Sequence, residues 1–152
     1  VDPSKVDEFK FKWGDRLGEV VRLHVDDVDL SNALRPVVHV RYSRARHRAK
    51  RRALAGPPAL ASLMRQQLER LGPDETQVVA SSRRRLQYIV ERIGEEAGLR
   101  RKLTPSILRW SYALDQFRAG LDPETLRQRL GLSEQSWKDV ENRLRALARR
   151  AL

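Results

Sequence analysis

Eight basic side chains and no carboxylate lie between Arg35 and Arg52: Arg35, Arg41, Arg44, Arg46, Arg48, Lys50, Arg51 and Arg52. A run of one sign repels itself unless something counter-charges it. Phosphates do so while releasing condensed cations, which gives binding its salt dependence. The whole chain points the same way, with 31 Lys plus Arg against 20 Asp plus Glu and a net charge of +11. Such a balance favours a polyanion over a small acidic ligand, and nucleic acid is the default partner. The plainer reading of the run is a disordered basic loop with non-specific affinity. His39 and His47 also lie here, but two lone histidines at that spacing make a poor ligand set, so no metal and no cofactor is expected. The chain has no cysteine, hence no disulfide framework, no Cys-based zinc site and no thiol nucleophile.

The elements that must hold this run follow from periodicity and punctuation. Apolar Leu17, Val20, Val21 and Leu23 predict a short helix within residues 13–23. Val25, Val28 and Leu30, then Val37, Val38 and Val40, then Ala53 and Leu54 predict three short antiparallel strands, separated by Ser31-Asn32 and by the basic loop. From Pro57 onward the texture is helical, with helices expected over 57–71, 82–97, 104–119, 122–130 and 133–149. Thr104-Pro105 and Asp122-Pro123 set a side-chain oxygen at the N-cap and a φ-locked proline at N1. Gly98, Gly120 and Gly131 stand just past helix ends. At 152 residues and 40% hydrophobic content the chain is sized for one domain over 1–152 with one core. It opens at Val1 without Met and reads as a fragment of something longer. No apolar run approaches 18 residues, so no membrane contact is expected; the expected setting is cytoplasmic and nucleoid-associated.

Two stretches carry a more specific pattern. One is Leu103-Thr-Pro-Ser-Ile-Leu-Arg109-Trp-Ser-Tyr-Ala, followed by Gly120-Leu-Asp-Pro-Glu-Thr-Leu and by Leu130-Gly-Leu132. The other is Gly14-Asp15-Arg16-Leu17-Gly18-Glu19, followed by Leu23 and Asp27-Val28-Asp29-Leu30. Together they resemble the catalytic domain of the tyrosine recombinase (phage integrase) family. That family reads Gly-Leu-Arg-x-x-Glu-Leu where this chain has Gly14 to Glu19. Where it has Leu103 to Ala113 the family reads Leu-Thr-x-His-x-x-Arg-His-x-x-Ala, then Leu-Gly-His and a nucleophilic Tyr. The resemblance implies an α+β, mostly helical fold with a three-stranded antiparallel sheet. It implies that Arg16 and Arg109 are the two catalytic arginines, a clamp that neutralises the equatorial oxygens of a phosphate. It also implies that either Arg44 or Lys50 takes the place of a hairpin lysine. The departures are as informative. Ser106 and Leu132 stand where the two histidines belong, and Glu141, nine residues after Leu132, stands where the Tyr belongs. A carboxylate there repels a phosphate, and as a nucleophile it gives an unstable acyl phosphate.

Tyr42, Tyr88 and Tyr112 are the only tyrosines, and each is expected to pack in a strand or core rather than to act as nucleophile. The expectation is therefore a DNA-binding domain of a recombinase or integrase acting in recombination or integration, without strand cleavage of its own. Arg41, Arg44, Arg46, Arg48, Lys50, Arg51 and Arg52 would contact duplex DNA, with other recombinase subunits as further partners and no small-molecule substrate. Two alternatives stand beside it. One is an active divergent recombinase whose nucleophile comes from outside these residues. The other is a basic helix-turn-helix module, because Asp122 to Leu144 also resembles two helices joined at Gly131 with Ser133 as cap.

Overall fold

The computed structural model describes residues 16–150; Trp13, Gly14 and Asp15, which begin the first expected helix, lie outside them. Helix α1 is Leu17–Val21. A 3-10 turn over Val25–Asp27 leads into strand β1, Val28–Asp29. Strand β2 is Val37–Val40, and a kinked 3-10 stretch over Ala45–Lys50 connects it to β3, Arg52–Ala55. Five helices follow: α2 Pro58–Arg70, α3 Arg83–Glu96, α4 Pro105–Arg118, α5 Pro123–Leu130 and α6 Glu134–Arg150. The sheet is antiparallel in the order β1-β2-β3, with Val28 opposite Val38, Val38 opposite Leu54 and Val40 opposite Arg52.

The helix boundaries have local causes. Thr104 Oγ1 accepts from the Ile107 amide and Asp122 Oδ2 from the Thr125 amide, so α4 and α5 each start on a side-chain cap followed by proline. Ser133 Oγ accepts from the Ser136 amide at the start of α6. Gly131, at φ 64°, ends α5 in the left-handed region. The core is built from α4, α5 and α6. Trp110, Ala113 and Leu114 meet Leu126 and Leu130, then Trp137, Val140 and Leu144, each set at i, i+3 or i+4 spacing. Leu132, 6% exposed, belongs to the same cluster.

Three expectations need correction. The first strand is only two residues long, because the Asp27 carboxylate accepts from the His24 amide and curls Val25–Asp27 into a 3-10 turn. Tyr42 lies beyond the end of β2 rather than in it. Tyr88, expected to pack in the core, is 59% exposed, and its neighbours Ile89 and Ile93 are exposed with it. Helix α3 instead turns Leu86, Val90 and Gly94 inward, at i, i+4, i+8; a Cβ on Gly94 would come within 2.5 Å of Leu103 Cβ, so the glycine permits this close approach.

Candidate functional site

The site grows from Arg16 at the N-cap of α1. It is the one non-glycine residue with positive φ among the described residues, at φ 56°, a conformation that costs on the order of 1–3 kcal/mol and must be over-determined by its surroundings. Its side chain supplies the reason. Arg16 Nη1 donates to Glu19 Oε1 at 3.2 Å, and Nη2 donates to the Gly131 carbonyl at 2.9 Å and the Leu130 carbonyl at 3.4 Å. Arg109, from the second turn of α4, reaches the same point: its Nη2 donates to the Leu130 carbonyl at 2.6 Å. Two guanidinium groups 93 residues apart thus meet at one oxygen on the turn after α5.

Glu19 is the hub that holds the cationic side chains together. Its Oε2 accepts from Arg52 Nη2 at 2.8 Å, and its Oε1 accepts from Arg52 Nη1 at 3.2 Å and from the Tyr42 hydroxyl at 2.6 Å. Burial works to raise the Glu19 pKa, but the hydrogen bonds of Arg52 and Tyr42 and the charges of Arg52 and Arg16 outweigh it, so its carboxyl lies below the usual range. Tyr42 shifts upward, first by burial and then by its bond to Glu19, and is held as a phenol. Lys50 lies over the Tyr42 ring, Nζ 5.6 Å from its centroid. Burial first, then the charge of Arg16, lowers the Lys50 pKa, with Arg22 and Arg109 adding to the effect and Glu19 opposing it. Burial, followed by the charges of Arg16 and Arg52, pushes Arg109 down to about 9. It remains cationic at neutral pH, and an anion bound beside it would relieve that repulsion.

Arg52 closes the arrangement. Only 10% exposed, it donates from Nε to the Arg129 carbonyl at 2.8 Å and from Nη1 to the Lys50 carbonyl at 2.6 Å, besides gripping Glu19. It ties the basic loop, α1 and the turn after α5 into one body. Gly131 lets the turn come this close: a Cβ there would lie 2.8 Å from Arg52 Nη1 and 3.3 Å from Lys50 Cα. Beside the cluster is a recess of about 300 Å³ lined by Arg16, Arg52, Arg109, Arg129, Leu54 and Tyr112.

The remaining expected residues divide sharply. Arg44, Arg46 and Arg48 are exposed, as are Arg41 and Arg51; Arg41 pairs with Asp27 and Arg51 Nη2 donates to the Ser43 carbonyl at 3.1 Å. Arg52, expected to face nucleic acid with them, is turned inward because the alternation of β3 points it at Glu19. Between the two candidates for the lysine position, Lys50 is the one set among the inner charges, while Arg44 is on the surface. Ser106 is half-buried in the first turn of α4. Leu132 is in the core, and Trp110 packs there too. Glu141 accepts from Arg145 Nη2 at 2.7 Å, one turn along α6. Tyr112, expected to pack in the core, is 42% exposed at the rim of the recess. Among the described residues no group of His, Cys, Asp and Glu is arranged to hold a metal.

The sequence model of the phage integrase family matches residues 7–139, most of the chain. The chain belongs to that family. Among solved structures, this integrase-family chain is similar to the crystal structure of XerA recombinase, with a TM-score of 0.66 and 19% identity over 92% of this chain. The match covers 57% of the XerA chain, so this sequence spans little more than half the length of that protein. No curated protein matches the sequence significantly. Family and fold together give a tyrosine-recombinase architecture. Among the described residues no helix is long and apolar enough to cross a membrane.

The roles of Glu19, Tyr42 and inward Arg52 were not read from sequence. Glu19 stood in the quoted motif without a task, although its position one turn after Arg16 carries the signal. Arg52 was hidden by its neighbours, since composition does not separate the last member of a basic run from the rest.

Proposed function

We propose that this chain is a single recombinase catalytic-type domain that clamps duplex DNA through Arg16, Arg109 and Lys50 and does not cut it unaided. The observation that carries the reading is the shared Leu130 carbonyl: one oxygen receives hydrogen bonds from both Arg16 and Arg109. A non-bridging phosphate oxygen offers the same acceptor with a negative charge, and a charge-assisted bond is roughly twice as strong as a neutral one. Phosphate binding there would answer the mutual repulsion of Arg16, Arg52 and Arg109.

Cleavage needs more than charge neutralisation. It needs a nucleophile in line with the phosphorus and a proton donor for the leaving 5′ oxygen. Leu132 is an aliphatic core residue, and Glu141 is a carboxylate engaged by Arg145. Tyr42 does bring a hydroxyl into the cluster, but its proton is committed to Glu19, whose depressed pKa makes it a weak base.

The test is a nicked suicide duplex that traps covalent protein–DNA intermediates, run beside an equilibrium binding assay on intact duplex. The expected result is salt-sensitive binding without an adduct. An adduct formed by this chain alone, mapped by mass spectrometry to any side chain, overturns the silent-site reading. An adduct that appears only after a second recombinase subunit is added supports the alternative in which the nucleophile comes from outside these residues.

A further inference from the structure

On the other side of Arg52 and Arg129 the basic loop faces α5 across a second cleft of about 430 Å³. Its walls include Arg48, Arg51 and Arg52 from the loop and β3, and Arg127, Gln128 and Arg129 from α5. Five arginines therefore line it from two independent elements. Two carboxylates touch those walls, Glu19 through Arg52 and Glu124 through Arg127, so a cationic excess remains. Arg127 is held in place by the Leu132 carbonyl at 2.8 Å as well as by Glu124, which makes the α5 wall an ordered one.

We infer that this cleft takes a second backbone phosphate of the same duplex that occupies the Arg16–Arg109 clamp. The inference rests on the DNA-binding reading above and adds to it a surface on α5 outside the basic loop. Three observations favour a phosphodiester of a polymer over a free anion. The cleft is far larger than one phosphate group and opens to solvent, so a chain can pass through it. Arg52 and Arg129 line both this cleft and the recess beside the clamp, so the two sites adjoin and suit consecutive phosphates on one backbone. Arginines line both walls, and planar guanidinium forks match phosphate oxygens in pairs.

The experiment measures duplex affinity against salt for charge changes at Gln128, an exposed residue of α5. Gln128→Glu is expected to weaken binding about tenfold and Gln128→Arg to tighten it, with the slope of log affinity against log salt changing by about 0.9 for each phosphate released or newly engaged. Gln66→Glu, on α2 and outside both clefts, gives the effect of the same charge change on the overall field and should be several-fold smaller. Thermal unfolding of each variant checks that the fold is retained. If Gln128→Glu matches Gln66→Glu while Arg16→Gln and Arg109→Gln still weaken binding, the second site is overturned and the clamp stands. If the unmodified protein does not bind duplex DNA at all, both fall together.

Discussion

The inner and outer cations of the basic loop are the same residue types a few positions apart, yet they are built for opposite tasks. Arg52 and Lys50 are drawn inward with Arg16 and Arg109; the three guanidinium groups donate to Glu19 or to backbone carbonyls, and Lys50 lies over the Tyr42 ring. Arg44, at the N-cap of the 3-10 stretch, and Arg46 and Arg48 within it stand in solvent. Removing a buried member of an ion-pair network strands its partners, whereas an exposed arginine is screened by salt and can move toward whatever anion arrives. On the proposed reading the inner set fixes geometry, and the outer set supplies an affinity that depends on ionic strength.

The largest effect that would break this division is Arg52→Ala. It leaves the largely buried Glu19 carboxylate with only Arg16 and Tyr42 and releases the Arg129 and Lys50 carbonyls, so it should cost about 3 kcal/mol of stability. Denaturant unfolding measures this directly. A loss under about 1 kcal/mol, the level of an exposed pair, would place Arg52 with the outer cations.

A second test uses acid. The Glu19 pKa is lowered in the folded state from its ordinary value of 4.5, so the unfolded chain binds more protons as pH falls. Its contribution to stability is full above pH 4.5 and is lost as pH drops through the lower folded value. The stability gap between the unmodified protein and Glu19→Gln should narrow in that acid window. A gap that stays constant there would mean that Glu19 is not the ionised hub of the cluster.

The outer set should respond in the opposite sense. Arg44→Ala, Arg46→Ala and Arg48→Ala combined should leave unfolding free energy within about 0.5 kcal/mol. The same triple change should flatten the salt dependence of DNA binding by up to about 0.9 for each phosphate no longer neutralised. An unchanged slope would show that the exposed arginines do not touch the duplex.

The same contrast marks how far the sequence could be read. The helices of the C-terminal half were legible because proline, glycine and capping side chains punctuate them and apolar groups recur at helical spacing. The three-stranded sheet was legible from its β-branched runs. The short first strand was not, since a side-chain bond from Asp27 decides it. The exposure of Tyr88, Ile89 and Ile93 was not, because periodicity marks an apolar face without saying which neighbour covers it. At the site, family patterning drew attention to Arg16 and Arg109, and their meeting at Leu130 is a tertiary fact. The direction of Arg52 depends on the pairing of β3, which no local pattern in a run of arginines reveals.

The smallest expected effect concerns Glu141, the residue standing where a nucleophile would be. Its carboxylate is bound to Arg145 four residues along α6. Glu141→Tyr should therefore remove an i,i+4 pair worth about 0.3–0.5 kcal/mol and change DNA affinity little. It should also form no covalent adduct. A phenol at 141 would still lack a proton donor for the leaving oxygen, because Leu132 lies in the core beside Leu130 and Trp137. Adding Leu132→His together with Ser106→His is the complete test of latent chemistry, but an imidazole in that apolar cluster must swing outward or lose about 1–3 kcal/mol as an unsatisfied polar group. Retained stability in the triple variant would show that the turn can reopen toward the clamp, and an adduct at position 141 would then follow from geometry already held by Arg52. An adduct from Glu141→Tyr alone would instead mean that α6 reaches the clamp without any such rearrangement. The helical core and the arginine cluster would then be one working unit rather than two separate ones.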